Sequence, residues 1–288
     1  GTQTLSDTYF GVWVDADLGN ATDDYVGCDV QRGLGYAYNG DAFDEPSGDS
    51  PGYGENPPAV GIDFFEGPYQ DSDEIDNPLT DVFTDAIDSL GIPYEGIGIG
   101  YGDGVVDNER FGMRRFVYYN NSGNNINGEP STPLHYYNYM NGIWKNGQKM
   151  AYGGDGVSAA TGANLDIPCD YMFPGETDPY NWGTGGIDTE PWTEVSSGNP
   201  PADRRFIQSA GPFVLEPGDF NNITMGVVWA KASAGDPFES VKLLRQADDK
   251  AQALFDNCFE IVSGPDAPDV AIQELENEVI IYLTNNNS

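Results

Sequence analysis

Turn-forming residues interrupt this chain so often that it reads as a fold of many turns and long ordered loops. Gly (37) and Pro (20) together make about a fifth of the 288 residues, as in β sandwiches and other turn-rich folds. Disorder is excluded despite the charge. Aromatic residues are 12% of the chain, with 17 Tyr, 14 Phe and 5 Trp, and acidic disordered chains are poor in such residues. At this length the core can be sizeable, in one large β domain or two smaller ones.

Residues 7–14 (DTYFGVWV) alternate polar and bulky apolar groups, the period-two signature of a strand. Related patterns predict strands at 34–38, 59–65 (AVGIDFF), 111–119 (FGMRRFVYY), 206–209 and 222–230 (NITMGVVWA). Residues 136–144 (YYNYMNGIW) suit either a strand or a short helix, and 15–29 reads as an acidic, Gly-containing loop. One clear helix spans 237–259. Asp236 can cap it, Pro237 suits its first turn, and Glu239 occupies the capping-box position. Val241, Leu244, Ala247, Ala251, Leu254 and Cys258 recur at helical spacing, so one face packs on a core. The break at 263–268 (SGPDAP) marks a domain boundary. Residues 269–283 (DVAIQELENEVIIYL) read as two strands joined by a tight turn. The predicted fold is mainly β. A β-sandwich-like domain with long loops and one C-terminal helix covers 1–263, followed by a linker at 264–268. Residues 269–288 form the first strands of an immunoglobulin- or fibronectin-like module.

Asp and Glu number 47 against 12 Lys and Arg, a net charge of −35. Such a field repels a phosphate backbone, so nucleic acid is excluded as a partner. It repels an anionic membrane surface too, and no run of ~18 apolar residues offers a membrane span. Divalent cations are the simplest partners that remain. A single His135 and three cysteines (Cys28, Cys169, Cys258) show no zinc-site spacing. Either one disulfide with one free thiol or three buried thiols fits that cysteine count.

The carboxylates cluster. Asp15, Asp17, Asp23, Asp24 and Asp29 lie in VDADLGNATDDYVGCD, which opens like a calcium loop, DxDxG. Calcium takes six to eight oxygens at about 2.3–2.6 Å, and closely spaced Asp on a Gly-bent loop supplies them. Loop position twelve is Val26 rather than Glu, so this is not an EF-hand. The second cluster is Asp103, Asp107, Asn108 and Glu109, bent by Gly102 and Gly104. It could enclose one hard cation, or Arg110 or Arg114 could pair with it instead. Asp41, Asp44 and Glu45 form a weaker group that reads as surface loop. The stretch 71–88 has no basic residue and reads as solvated loop.

No catalytic residue stands out. GIGIGYGDG (96–104) lacks the Lys-Ser/Thr of a phosphate loop, and no Ser sits in GxSxG. Asp29 beside Cys28 disfavours a thiolate. A paired-carboxylate glycosidase is allowed in principle, but no pair is singled out among so many acids. Tyr136, Tyr137, Tyr139, Trp144, Trp182 and Trp192 lie near Gly, Asn and Pro. They could stack on sugar rings, the alternative being that they pack the long loops.

The segments DTYFGVWVDADLGNATDDYVGCD (7–29), NPPAVGIDFFEGP (56–68), DGVVDNERFGMRRFVYYNN (103–121), YNYMNGIWKNG (137–147), DRRFIQSAGPFVLEPGD (203–219) and ADDKAQALFDNC (247–258) carry a family likeness. They resemble large, uncharacterised exported proteins of Bacteroidota-type bacteria, similar to type IX secretion system cargo. The resemblance implies β-sandwich modules, an extracellular or cell-surface location, and a piece cut from something longer. It brings no catalytic residue. The expectation is a secreted structural or adhesive protein stabilised by calcium, with a role in a fibre or coat. Its partners would be further copies of itself or surface glycans. A carbohydrate-binding module or polysaccharide hydrolase is the alternative.

Overall fold

The computed structural model describes residues 1–87, 98–259, 269–274 and 279–284. The main elements are β1 (Leu5–Asp15), β2 (Asp24–Asp29), β3 (Leu34–Asn39), β4 (Ala59–Glu66), β5 (Arg115–Asn120), α1 (Pro133–Met140), β6 (Arg204–Leu215), β7 (Thr224–Ala230) and α2 (Pro237–Asp256). They build two antiparallel sheets, ordered β1-β6-β5 and β7-β4-β3-β2. The mainly β, sandwich-like expectation holds.

The sheets meet face to face. Val26, Cys28 and Ala37 share a core with Phe116, Val117, Tyr118, Phe206 and Ile207. At their closest approach, a Cβ on Gly35 would overlap Gln208 Oε1 and come within 2.8 Å of both the Phe116 and Phe206 rings. Gln208 Nε2 crosses the gap and donates to Ile62 O at 3.1 Å. That bond offsets part of the cost of burying the amide, whose Oε1 is buried without a partner.

Side chains alternate across a strand. The other face of the four-stranded sheet therefore presents Tyr25, Leu34, Tyr36, Tyr38, Ala59 and Val228, and α2 covers it with Val241 and Leu244. Asp236 caps α2, its Oδ1 accepting from Phe238 N at 2.9 Å. The helix ends at Asp256, and its buried stripe ends before Leu254 and Cys258, which are exposed.

Residues 136–144, which suited either element, contribute to the short helix α1. Thr132 caps it, and Pro133 stands in its first turn. His135 sits in that turn, its N–H donating to Thr132 Oγ1 at 3.3 Å. β6 runs past the predicted 206–209 through Gly211-Pro212. β5 pairs only with Arg204–Ser209, and register shifts lie between Leu5, Thr8 and Phe10 on β1 opposite the continuation. Proline is tolerated where no ladder partner needs its N–H. No disulfide forms among the three cysteines: Cys28 and Cys169 are buried free thiols and Cys258 is an exposed one.

The chain divides into two compact units, 1–251 and 252–288. The predicted boundary at 263 and linker at 264–268 lie outside the described residues. In the second unit β8 (Asp269–Glu274) and β9 (Val279–Thr284) pair antiparallel from Asp269↔Thr284 to Glu274↔Val279, the two strands expected there.

Candidate metal centre

The first acidic loop folds back onto the start of β2. Asp17 and Gly19 both take positive φ, 41° and 69°, which turns the chain so that Leu18 is buried. Leu18 N then donates to Asp24 Oδ2 at 3.1 Å. Asp44 arrives from the loop after β3 and accepts from Asn20 N at 2.8 Å and Tyr53 N at 2.6 Å. Gly19 is required here, because a Cβ would overlap the Asp44 carboxylate. The DxDxG glycine therefore serves the approach of a distant acid as well as the turn.

Asp24 begins β2 and Asn39 ends β3, directly opposite one another in the register. Both point to the sandwich side of the sheet, in line with Val26 and Ala37. Asp24 is 1% exposed, and Asn39 and Asp44 are fully buried. Asp24 Oδ1, Asn39 Oδ1 and Asp23 Oδ1 are buried without any hydrogen-bond partner. Burial pushes Asp24 up to about 8, with the charges of Asp23, Asp44 and Asp17 adding to the rise against the Leu18 N–H. Burial and the carboxylates of Asp44 and Glu45 push Asp23 up to about 6. Three acceptor oxygens with no donor, among carboxylates that repel one another, form a site suited to a cation. The donor set is oxygen only, as hard cations require. Asn39 was missed in the sequence because its amide reads as the end of an ordinary strand. Asp44 was placed in a surface loop, whereas the structure buries it.

The other residues of this cluster go elsewhere. Asp15 and Asp17 come together with Asp203, their carboxylate oxygens within 4.8 Å of one another. This group is largely exposed and already has a counter-ion: Arg205 pairs with Asp15 at 2.9 Å and also reaches Glu129 at 2.8 Å. Asp29 is five residues along β2 from Asp24, about 16 Å away and on the opposite face of the sheet. Arg32 and Arg245 hold it at 3.0 and 2.9 Å.

The second cluster is engaged in closing loops. Asp103 accepts from Val105 N at 2.8 Å and Asn108 Nδ2 at 2.9 Å. Asp107 accepts from the N–H groups of Asp73 and Glu74 at 2.8 and 2.9 Å. With the Ser72 hydroxyl, these hold its carboxyl below the usual range. Glu109 is buried and accepts from Asn77 N. Asn108 Oδ1 is the buried acceptor left without a partner. Arg110 turns away to Glu66 and stacks on Tyr69. The loop-docking role of 71–77 corrects its reading as merely solvated: Asp76 accepts from Gly102 N and Gly104 N, and Asp71 from Val214 N. Asp41 accepts from Phe43 N in its own turn.

The aromatic platform is corrected as well. Tyr139, Trp144, Trp182 and Trp192 are buried. Tyr139 and Trp144 pack on Tyr119 and Tyr118, Trp182 on Phe83, and Trp192 on Phe173 and Tyr152. Their rings are not available to a sugar. Tyr137 is 40% exposed, but it packs on Tyr9 and donates to Asp7 O.

Comparison with protein-family models, curated proteins and solved structures finds no match for this chain.

Proposed function

We propose that this chain is a calcium-stabilised β-sandwich part of a secreted, cell-surface structural or adhesive protein. The observation that carries the calcium reading is the group of buried, donorless oxygens on Asp23, Asp24 and Asn39 beside the buried Asp44. The ion would replace the missing donors and draw the 17–24 loop, the end of β3 and the 41–45 loop together. Backbone carbonyls and water would complete the shell.

The structural or adhesive reading rests on surface character. No described helix is long and apolar enough to cross a membrane. β1 and β7 are outer strands of their sheets, and Trp13, Val227 and Trp229 stand exposed on them. Exposed apolar edges are how strands add to further chains, which supports self-association in a fibre or coat. The test of the calcium reading is calorimetric titration of EDTA-stripped protein with calcium. Saturable binding that is lost in Asp24→Asn is expected. Absence of binding heat together with an unchanged melting temperature would refute it.

A further inference from the structure

A second group of buried acids lies on the opposite face of the four-stranded sheet, beneath α2. The register sets Asp29, Leu34 and Asp63 side by side across β2, β3 and β4. α2 lays Val241 and Leu244 on the same face, and Asp248 follows one turn later. Asp29, Asp63 and Asp248 are all at most 2% exposed.

Both cations of this seat are committed. Arg32, from the turn after β2, reaches Asp29 at 3.0 Å and Asp249 at 2.8 Å. Arg245 of α2 holds Asp29 at 2.9 Å and lies over the Tyr36 ring. Neither oxygen of Asp63 has a hydrogen-bond partner, nor has Asp248 Oδ1. Three buried carboxyl groups and the exposed Asp249 thus share two guanidinium groups. A buried carboxylate with no donor and no counter-ion takes up a proton. Burial pushes Asp63 up to about 8, the Asp248 and Asp29 charges adding and Arg32 opposing, while the neighbouring Phe64 N–H is directed to Gly33 O. Burial likewise pushes Asp248 up to about 7, against Arg32 and with Asp249 and Asp29.

We propose that the seat of α2 is a proton-binding clasp, in which a proton held by the Asp63–Asp248 pair keeps the helix docked and its loss in alkali loosens α2 from the sheet. The sign follows from linkage. Both groups ionise more easily in the unfolded chain, so the folded state carries the extra proton between the two pKa values. The pair's contribution is complete in acid and is lost as pH rises through the folded values, toward about 8 for Asp63.

The test is thermal melting in EDTA between about pH 5 and pH 9, on the intact chain and on Asp63→Asn, Asp248→Asn and the double variant. EDTA keeps the calcium reading out of the result, so the two proposals fail separately. The unsubstituted chain is expected to lose melting temperature toward alkali more steeply than the double variant, which overtakes it there. Infrared difference spectra should show a protonated-carboxyl band at neutral pH that is weaker in the double variant. Hydrogen exchange in α2, corrected for the intrinsic pH effect, should accelerate in alkali only when both acids are present. Parallel melting profiles, or an unchanged carboxyl band, would overturn the proposal. So would failure of both single variants to fold, because Asn matches a protonated Asp in shape and supplies a donor.

Discussion

Replacing Asp24 by Asn should have opposite consequences with and without calcium. Without the ion, Asp24 is a buried carboxylate with one oxygen unpartnered and with Asp23, Asp44 and Asp17 as its charged neighbours. An unsatisfied buried acceptor costs about 1–3 kcal/mol, more when charged. In EDTA at neutral pH burial already favours the protonated form of Asp24, so Asn, which matches that form in shape and adds a donor, should leave stability unchanged or raise it by an amount of that order. With calcium at about a hundred times its dissociation constant, binding contributes about 2.7 kcal/mol. In a domain of this size each kcal/mol moves the melting temperature by about 2–4 °C, so the unsubstituted chain should gain about 5–11 °C. Asp24→Asn should gain little of that. The assay is a pair of melting curves, EDTA against calcium, for both chains. The curves should cross: the variant melts at or above the parent in EDTA and below it in calcium. A constant offset between the chains would show that Asp24 matters for packing alone, and the metal reasoning would fail.

Other residues offer independent checks. Gly35→Ala places a methyl against Gln208 and the Phe116 and Phe206 rings; overpacking of this kind costs about 1–3 kcal/mol, so a denaturant midpoint unchanged from the parent would contradict the sheet packing. Glu194 is fully buried, pairs with Arg204 at 2.8 Å and accepts from Val26 N at 3.0 Å. Its replacement by Ala strands a buried guanidinium, worth about 3–5 kcal/mol, and should lower the melting temperature by on the order of 10 °C. Burial raises the thiol pKa of Cys28 and Cys169, whereas Cys258 is exposed. A thiol reagent should label Cys258 alone in the native protein, as mass spectrometry of the peptides would show.

The strands and α2 were legible because period-two and period-3.6 patterns are local. What the sequence reading missed depended on distant partners. β2 was hidden inside an acidic stretch, since DYVGCD begins and ends with Asp and carries a Gly. Its hydrophobic content is ordinary, and its six positions are buried because the three-stranded sheet covers one face and α2 the other, with the 172–177 segment along its edge. The aromatics around 136–192 left sugar stacking and loop packing both open because Gly and Asn flank them. They are the core of that region, because long loops have no regular element of their own on which to bury rings. Asp248 broke the apolar stripe of α2, and a stripe argument scores such a residue as noise. Its place in the structure is a buried one beneath the helix.

The acidic loop shows why counting carboxylates in a window misleads. Asp24 and Asp29 are close in sequence, but an odd spacing in a strand sends them to opposite faces. One faces Asn39 beside the buried Asp44; the other is held by two arginines. The same charge on the same strand therefore has two different physical fates, and only the first leaves an oxygen for a metal. Asp63 extends the logic. It shares a face with Asp29, yet the arginines are already committed, so a proton is the remaining way to neutralise it. Counter-ions available at each face, rather than the density of Asp and Glu along the chain, decide which acids form ion pairs and which are left for the calcium and the proton proposed above. Where arginine reaches the carboxylates the ion pair forms, and where the chain supplies none the acids must draw a cation or a proton from solution.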